Sequence, residues 1–171
     1  LKLFKDTRDS IYVETLYPDY LQAELDLNNI TIIAEPTNPE APNGETRVDI
    51  TQNSKLIIDE FVYDPNSKTG KLSLKATLGT VRYASGQIAK NSAQNISIKT
   101  PTATVSVRGT DFAMTIDEIG SSTIILLPSC DGNGNCFVGE ISVESAAGQV
   151  ILNQAFQATQ VNTPANPPSP P

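Results

Sequence analysis

The sequence predicts an all-β fold, and three observations carry that reading. From residue 47 to residue 161 apolar and polar residues alternate with a period close to two, in runs of about four to eight residues. The runs are separated by turn-forming Gly, Pro, Asn, Asp and Ser and not by amphipathic helices, which excludes β-α-β units and favours a sandwich, barrel or solenoid. They are also rich in Thr, Val and Ile, whose branched Cβ atoms suit a pleated, half-buried surface. Very little helix is expected.

Residues 1–46 read as an N-terminal arm and Pro-rich linker. Ser10–Glu14 and Asn29–Ile33 are short extended runs, and only Pro18–Leu25 has the spacing of a helical turn. Glu35–Thr46 holds three prolines and an Asn-Gly pair, which stop helices and central strands alike. The β domain then spans 47–161. Ser54–Tyr63 and Lys71–Leu78 alternate on either side of an Asp64–Gly70 turn. Further strands are expected at Gly79–Ala84, Asn95–Lys99, Ala103–Arg108, Asp111–Ile116, Ser122–Leu127, Phe137–Val143, Gln149–Leu152 and Ala158–Val161. A hydrophobic-Gly-x-hydrophobic step recurs at Gly79, Gly139 and Gly148, as expected where similar corners are turned several times. Residues 162–171 carry five prolines and read as an extended polyproline II tail or linker.

Composition excludes several function classes. The chain has 12 Lys+Arg against 19 Asp+Glu, a net charge of -7, so it lacks the basic excess that phosphate backbones require, and no nucleic acid partner is expected. It has no His, the usual general base near neutral pH and the commonest transition-metal ligand. No stretch has the roughly 18–20 apolar residues of a membrane span. No phosphate-binding Gly-rich loop or serine elbow with a base is present. Aromatics are 6% of residues and Trp is absent, which argues against a carboxylate-pair glycosidase with its sugar platforms. No catalytic residue, cofactor or metal is expected.

The sharpest local motif is Lys99–Met114, within which Val107-Arg108-Gly109-Thr110 precedes Asp111-Phe112. Thr100-Pro101 sets an extended start to the strand before it, since a residue preceding Pro is pushed out of the helical region. Gly109 after a strand marks a sharp corner or a bulge. Arg108 alternates with Val105 and Val107, so it leaves the apolar face, either bracing the corner or reaching out to a partner. This segment resembles the signature of the FecR domain family, with Arg108, Gly109, Thr110 and Phe112 as its structural residues. Leu78–Tyr83 and Phe137–Val143 are similar to the family's flanking strands, and the resemblance covers about residues 47–160. It implies a FecR-like β-solenoid or sandwich-like module with binding roles and no catalysis.

Cys130 and Cys136 flank a glycine-rich hairpin loop, where a disulfide would close a seven-residue ring in an oxidising compartment. Inside it, Asp131, Asn133 and Asn135 are spaced like the first half of a calcium loop, but Cys136 and Ser142 stand where its glycine and glutamate belong, so it reads as a polar turn. Asp117-Glu118 reads as a hairpin turn and Asp59-Glu60 as a solvated strand edge.

These readings lead to a non-enzymatic structural or assembly protein. The resemblance includes structural proteins of tailed marine phages, and the expected context is a virion component, on capsid or tail, in which several copies meet as protein subunits through the β domain and its arms. The alternative is a periplasmic or secreted FecR-type sensor domain that binds a partner protein; a carbohydrate-binding or adhesion module is a third.

Overall fold

The structure, a computed structural model, describes residues 2–5, 10–14, 30–33, 47–51, 54–64, 69–85, 95–130 and 133–171, and the side chains of these from residue 48 onward except 61–69. Among the described residues fifteen strands run in chain order: β1 Lys2–Lys5, β2 Ser10–Glu14, β3 Ile30–Ile33, β4 Arg47–Ile50, β5 Lys55–Asp64, β6 Thr69–Ala84, β7 Ile96–Lys99, β8 Thr104–Arg108, β9 Asp111–Ile116, β10 Ser122–Leu127, β11 Ser129–Cys130, β12 Cys136–Phe137, β13 Glu140–Ser145, β14 Gly148–Leu152 and β15 Ala158–Val161. The expected helical turn at 18–25 and the Pro-rich loop at 35–46 lie outside the described residues.

Thirteen of these strands form two sheets that share β6, and β11 and β12 pair as a separate two-stranded sheet. In sheet A the order is β1-β2-β3-β4-β6-β9-β10-β15, and in sheet B it is β5-β6-β7-β8-β13-β14. The first half of β6 pairs with β5 and β7, the second half with β4 and β9. Where the sequence suggests two strands, at 71–78 and 79–84, one continuous strand bends from one sheet into the other. The bend is at Gly79, whose φ of +88° lies in the left-handed region. A side chain there would also collide with Ser54, whose Oγ accepts from Thr80 N at 3.0 Å.

Alternation builds the core. In β8, β9 and β10 every second residue is buried, giving Val105 and Val107, then Phe112, Met114 and Ile116, then Ile124 and Leu126. These meet Leu72, Leu74, Ile96, Ile98, Ile141, Val143 and Leu152 of sheet B in one contiguous cluster. Two sheets facing each other across a shared apolar layer make a sandwich. The rings of Tyr83 and Phe112, cross-strand partners in β6 and β9, stack with centroids 5.4 Å apart at its centre.

The three glycine steps that look alike in sequence do different work. Gly79 bends a strand, Gly139 lets β13 approach the β8–β9 corner, and Gly148 opens β14 beside Pro167. The acidic pairs are local features. Asp117 Oδ1 accepts from Ile119 N and Ser121 N and closes the β9–β10 hairpin, while Asp59 stands at a register irregularity in β5 and Glu60 pairs with Lys71 at 2.7 Å. Surface pairs of that kind contribute little, about 0–1 kcal/mol.

The C-terminal residues fold back on the domain. Pro164 O accepts from Ala146 N, Asn166 O accepts from Ser145 Oγ at 2.8 Å, and Pro168 is buried. The tail turns at 163–166, where Asn166 N donates to Thr163 O at 3.1 Å, and runs back against the β13–β14 turn and β15.

Candidate functional site

The signature residues build the crossing between the sheets. β8 belongs to sheet B and β9 to sheet A, and Arg108-Gly109-Thr110-Asp111 carries the chain across. Gly109 turns with φ of +62°. Thr110 is fully buried and its hydroxyl donates to Leu127 O at 3.1 Å. Phe112 is fully buried in the core.

Asp111, 8% exposed, is the polar anchor of this corner. Its Oδ1 accepts from Ser129 Oγ at 2.6 Å and from Ser85 N at 3.0 Å, and its Oδ2 lies 3.8 Å from Arg82 Nη2. A buried carboxylate is tolerable only when donors of this kind surround it. Gly139 closes the corner from outside: a Cβ on it would meet the carbonyl oxygen of Arg108 and lie 2.7 Å from that of Gly109. Sequence reasoning marked Gly139 only as one of three similar glycine corners and gave Asp111 no role of its own. The available signals were a carboxylate following the signature threonine and a glycine at the start of a strand.

Arg108 takes no part in this bracing. It is exposed, faces Glu140 across the β8–β13 ladder, and makes no ion pair among the described residues. Of the two roles its alternation allows, the corner is held by its neighbours and the guanidinium is left at the surface.

Beside it lies a stapled hairpin. β11 and β12 pair with Cys130 opposite Cys136, and the two are joined in a disulfide with Cα atoms 4.0 Å apart. Asn133 and Asn135 are exposed, Asp131 lies outside the described residues, and no cluster of three metal-ligating side chains occurs among the described residues. Phe137 and Val138, at 50% and 37% exposure, leave this hairpin on the solvent side. The β14–β15 loop adds Phe156, 65% exposed, which a bulky residue reaches here with φ of +67°. Such a conformation persists only where the surroundings enforce it. Here Phe156 N donates to Leu126 O, Leu126 N donates to Gln157 O, and Gln157 Oε1 accepts from Asn153 N and Gln154 N. Register places these groups at one end of the sandwich, with Ile119 of the β9–β10 hairpin at the other.

At that opposite end an open cleft of about 430 Å³ is lined by Lys99, Thr100, Pro101, Thr104, Glu144 and Ser145, among others. Below it three buried hydroxyls form a one-way chain: Thr102 donates to Ser122 at 2.8 Å, Ser122 to Thr100 at 2.8 Å, and Thr100 to Ala103 O at 3.3 Å. Each of these hydroxyl donors is engaged within the fold. No helix among the described residues is long and apolar enough to cross a membrane.

Comparison with curated proteins gives no match. Two crystal structures of a candidate anti-sigma factor from Parabacteroides distasonis ATCC 8503 are similar. One shares 16% identity over 83% of this chain and 55% of that chain with a TM-score of 0.46, the other 16% over 82% and 55% with a TM-score of 0.43. The chain thus spans little more than half the length of those proteins. The model of the FecR protein family matches residues 41–127, a stretch that runs from before β4 through the signature to the end of β10. With half of its length matched to that model, the chain belongs to the FecR protein family.

Proposed function

We propose that this chain is a non-enzymatic FecR-type interaction domain that docks a partner protein at the signature end of its sandwich, in an oxidising, extracytoplasmic compartment. The observation that carries the reading is Arg108. The central charged residue of the family signature is exposed while Asp111, Thr110 and Gly139 hold the corner, so its side chain is available for a contact. Around it, Phe137, Val138 and Phe156 supply the apolar contact area that protein interfaces favour at their centre. The Cys130–Cys136 staple supports the compartment, because such bonds persist where thiols are not kept reduced.

The reading expected from resemblance and composition, a virion subunit working through extended arms, is the weaker one. The FecR match carries no reference to a particle. Pro168 is buried in its own domain, so the tail as folded is not extended towards a neighbour.

Site-specific photocrosslinking in the cell that makes the protein tests the reading. A photoreactive residue at position 137 is expected to give a discrete protein adduct that is lost on Arg108→Ala, while one at position 119, at the far end, gives none. Equal adducts from both positions, or an adduct indifferent to Arg108, would contradict docking at this end.

A further inference from the structure

We propose that the outer edge of β15 is a strand-acceptor site for an extended, proline-flanked Ser or Thr segment of a partner polypeptide, and that the chain's own Pro168-Ser169 is its resident occupant. The inference concerns a different surface from the signature end and does not depend on docking there.

β15 pairs with β10 on one side and, among the described residues, is the edge of sheet A on the other. An open edge presents main-chain donors and acceptors to any extended segment. The tail fills that edge at one residue. Ser169 N donates to Gln160 O at 3.0 Å, and Gln160 N donates to Ser169 Oγ at 3.0 Å. The serine thus matches both main-chain groups of Gln160, its hydroxyl standing where a paired strand would offer a carbonyl. Thr159 Oγ1, on a residue only 2% exposed, donates to Ser169 O at 2.6 Å. Pro168 is buried beside this clamp. Main-chain bonds to a strand edge together with a seat for one side chain are how an added peptide strand is held.

The resident segment is a poor strand. Pro167, Pro168, Pro170 and Pro171 have no N–H to give, so the ladder cannot extend beyond Ser169. Ala158, two residues before Gln160 and therefore facing the same edge, receives no main-chain bond from the tail among the described residues. Residues 162–167 and 169–171 are exposed. Beyond the bonds at Pro164 and Asn166, the segment on this edge is held by one buried proline and one serine, and so local a contact opens at a small fraction of the cost of global unfolding. A partner segment that keeps the Pro-Ser step but carries a residue other than proline two positions after the serine gains a bond to Ala158, and it outcompetes the tail.

The test uses the full chain carrying Pro168→Ala and Ser169→Ala, which loosens the tail and leaves Thr159 and Gln160 intact. Amide NMR shifts are followed while the hexapeptide Asn-Pro-Pro-Ser-Pro-Pro, or its Ser-to-Ala form, is titrated in. Expected are saturable shifts centred on Thr159, Gln160 and Val161, with the alanine peptide roughly tenfold weaker. No saturation with the serine peptide, equal response to both, or dimerisation of the variant through this edge without peptide would overturn the proposal. So would hydrogen exchange at residue 169 as slow as in β10, in the unaltered protein or the variant, since the tail would then be a fixed part of the core.

Discussion

Ser129 Oγ donates to Asp111 Oδ1 at 2.6 Å, and this bond ties the sheet crossing to the disulfide hairpin. Ser129 opens β11 and precedes Cys130, and Asp111 opens β9 within the signature. The hairpin that presents Phe137 is therefore held at its root by the same carboxylate that holds the corner.

Replacing Asp111 with Ala leaves Ser129 Oγ and Ser85 N without their acceptor. The expected loss is about 2–3 kcal/mol, since removing one partner strands buried donors, with Asp111→Asn milder because one acceptor oxygen remains. Chemical denaturation of both variants reads this ordering, and equal stability of Asp111→Ala and the parent would show that the corner is held by other means.

Glycine-to-alanine substitutions separate backbone conformation from close approach. At Gly134 and Gly109 a new Cβ meets nothing within 4 Å, so only the positive φ opposes it, about 1 kcal/mol. Gly139 has room for no side chain against the Arg108 and Gly109 carbonyls, and about 2–3 kcal/mol is expected. Gly79 suffers both effects and is expected to be the worst of the four. Thermal unfolding of the set checks the order.

The β core was legible because alternation is a local property of the chain. Asp111–Ile116, Ser122–Leu127 and Ala158–Val161 end where the period-two pattern and its turn residues end. The continuity of β6 was hidden because Gly79 reads as a breaker, whereas a left-handed glycine can also bend a strand without ending it. The start of β13 was misplaced for a related reason: Phe137 and Val138 are apolar but exposed, belonging to the hairpin and its exit. The signature was recognisable as a motif, yet its partition was not. That Asp111 turns inward while Arg108 stays out depends on Ser85, Ser129 and Gly139, which only the fold brings together.

Ser122→Ala cuts the hydroxyl chain in the middle, leaving Thr102 Oγ1 without its 2.8 Å acceptor, while Thr100 Oγ1 still accepts from Ala103 N at 3.0 Å. A loss of about 1–3 kcal/mol is expected, against less than about 0.5 kcal/mol for Thr123→Ala on the exposed face of the same strand. Urea midpoints of the pair measure the difference.

Reduction of Cys130–Cys136, or Cys136→Ser, opens a small exposed ring and is expected to lower stability by about 2 kcal/mol. Hydrogen exchange should rise in β11 and β12 and stay unchanged in β9 and β10, which the core holds. Loosening throughout the sandwich would show that the staple supports the whole fold.

The central claim is that the signature divides its labour, with Asp111 holding the corner and Arg108 left for a partner. Comparing Arg108→Ala with Asp111→Ala, by thermal unfolding and by crosslinking from position 137, tests it most directly. The account predicts that Arg108→Ala unfolds within about 0.5 kcal/mol of the parent and loses the adduct, while Asp111→Ala is destabilised. An Arg108→Ala protein as destabilised as Asp111→Ala, or one that keeps its adduct, would contradict it.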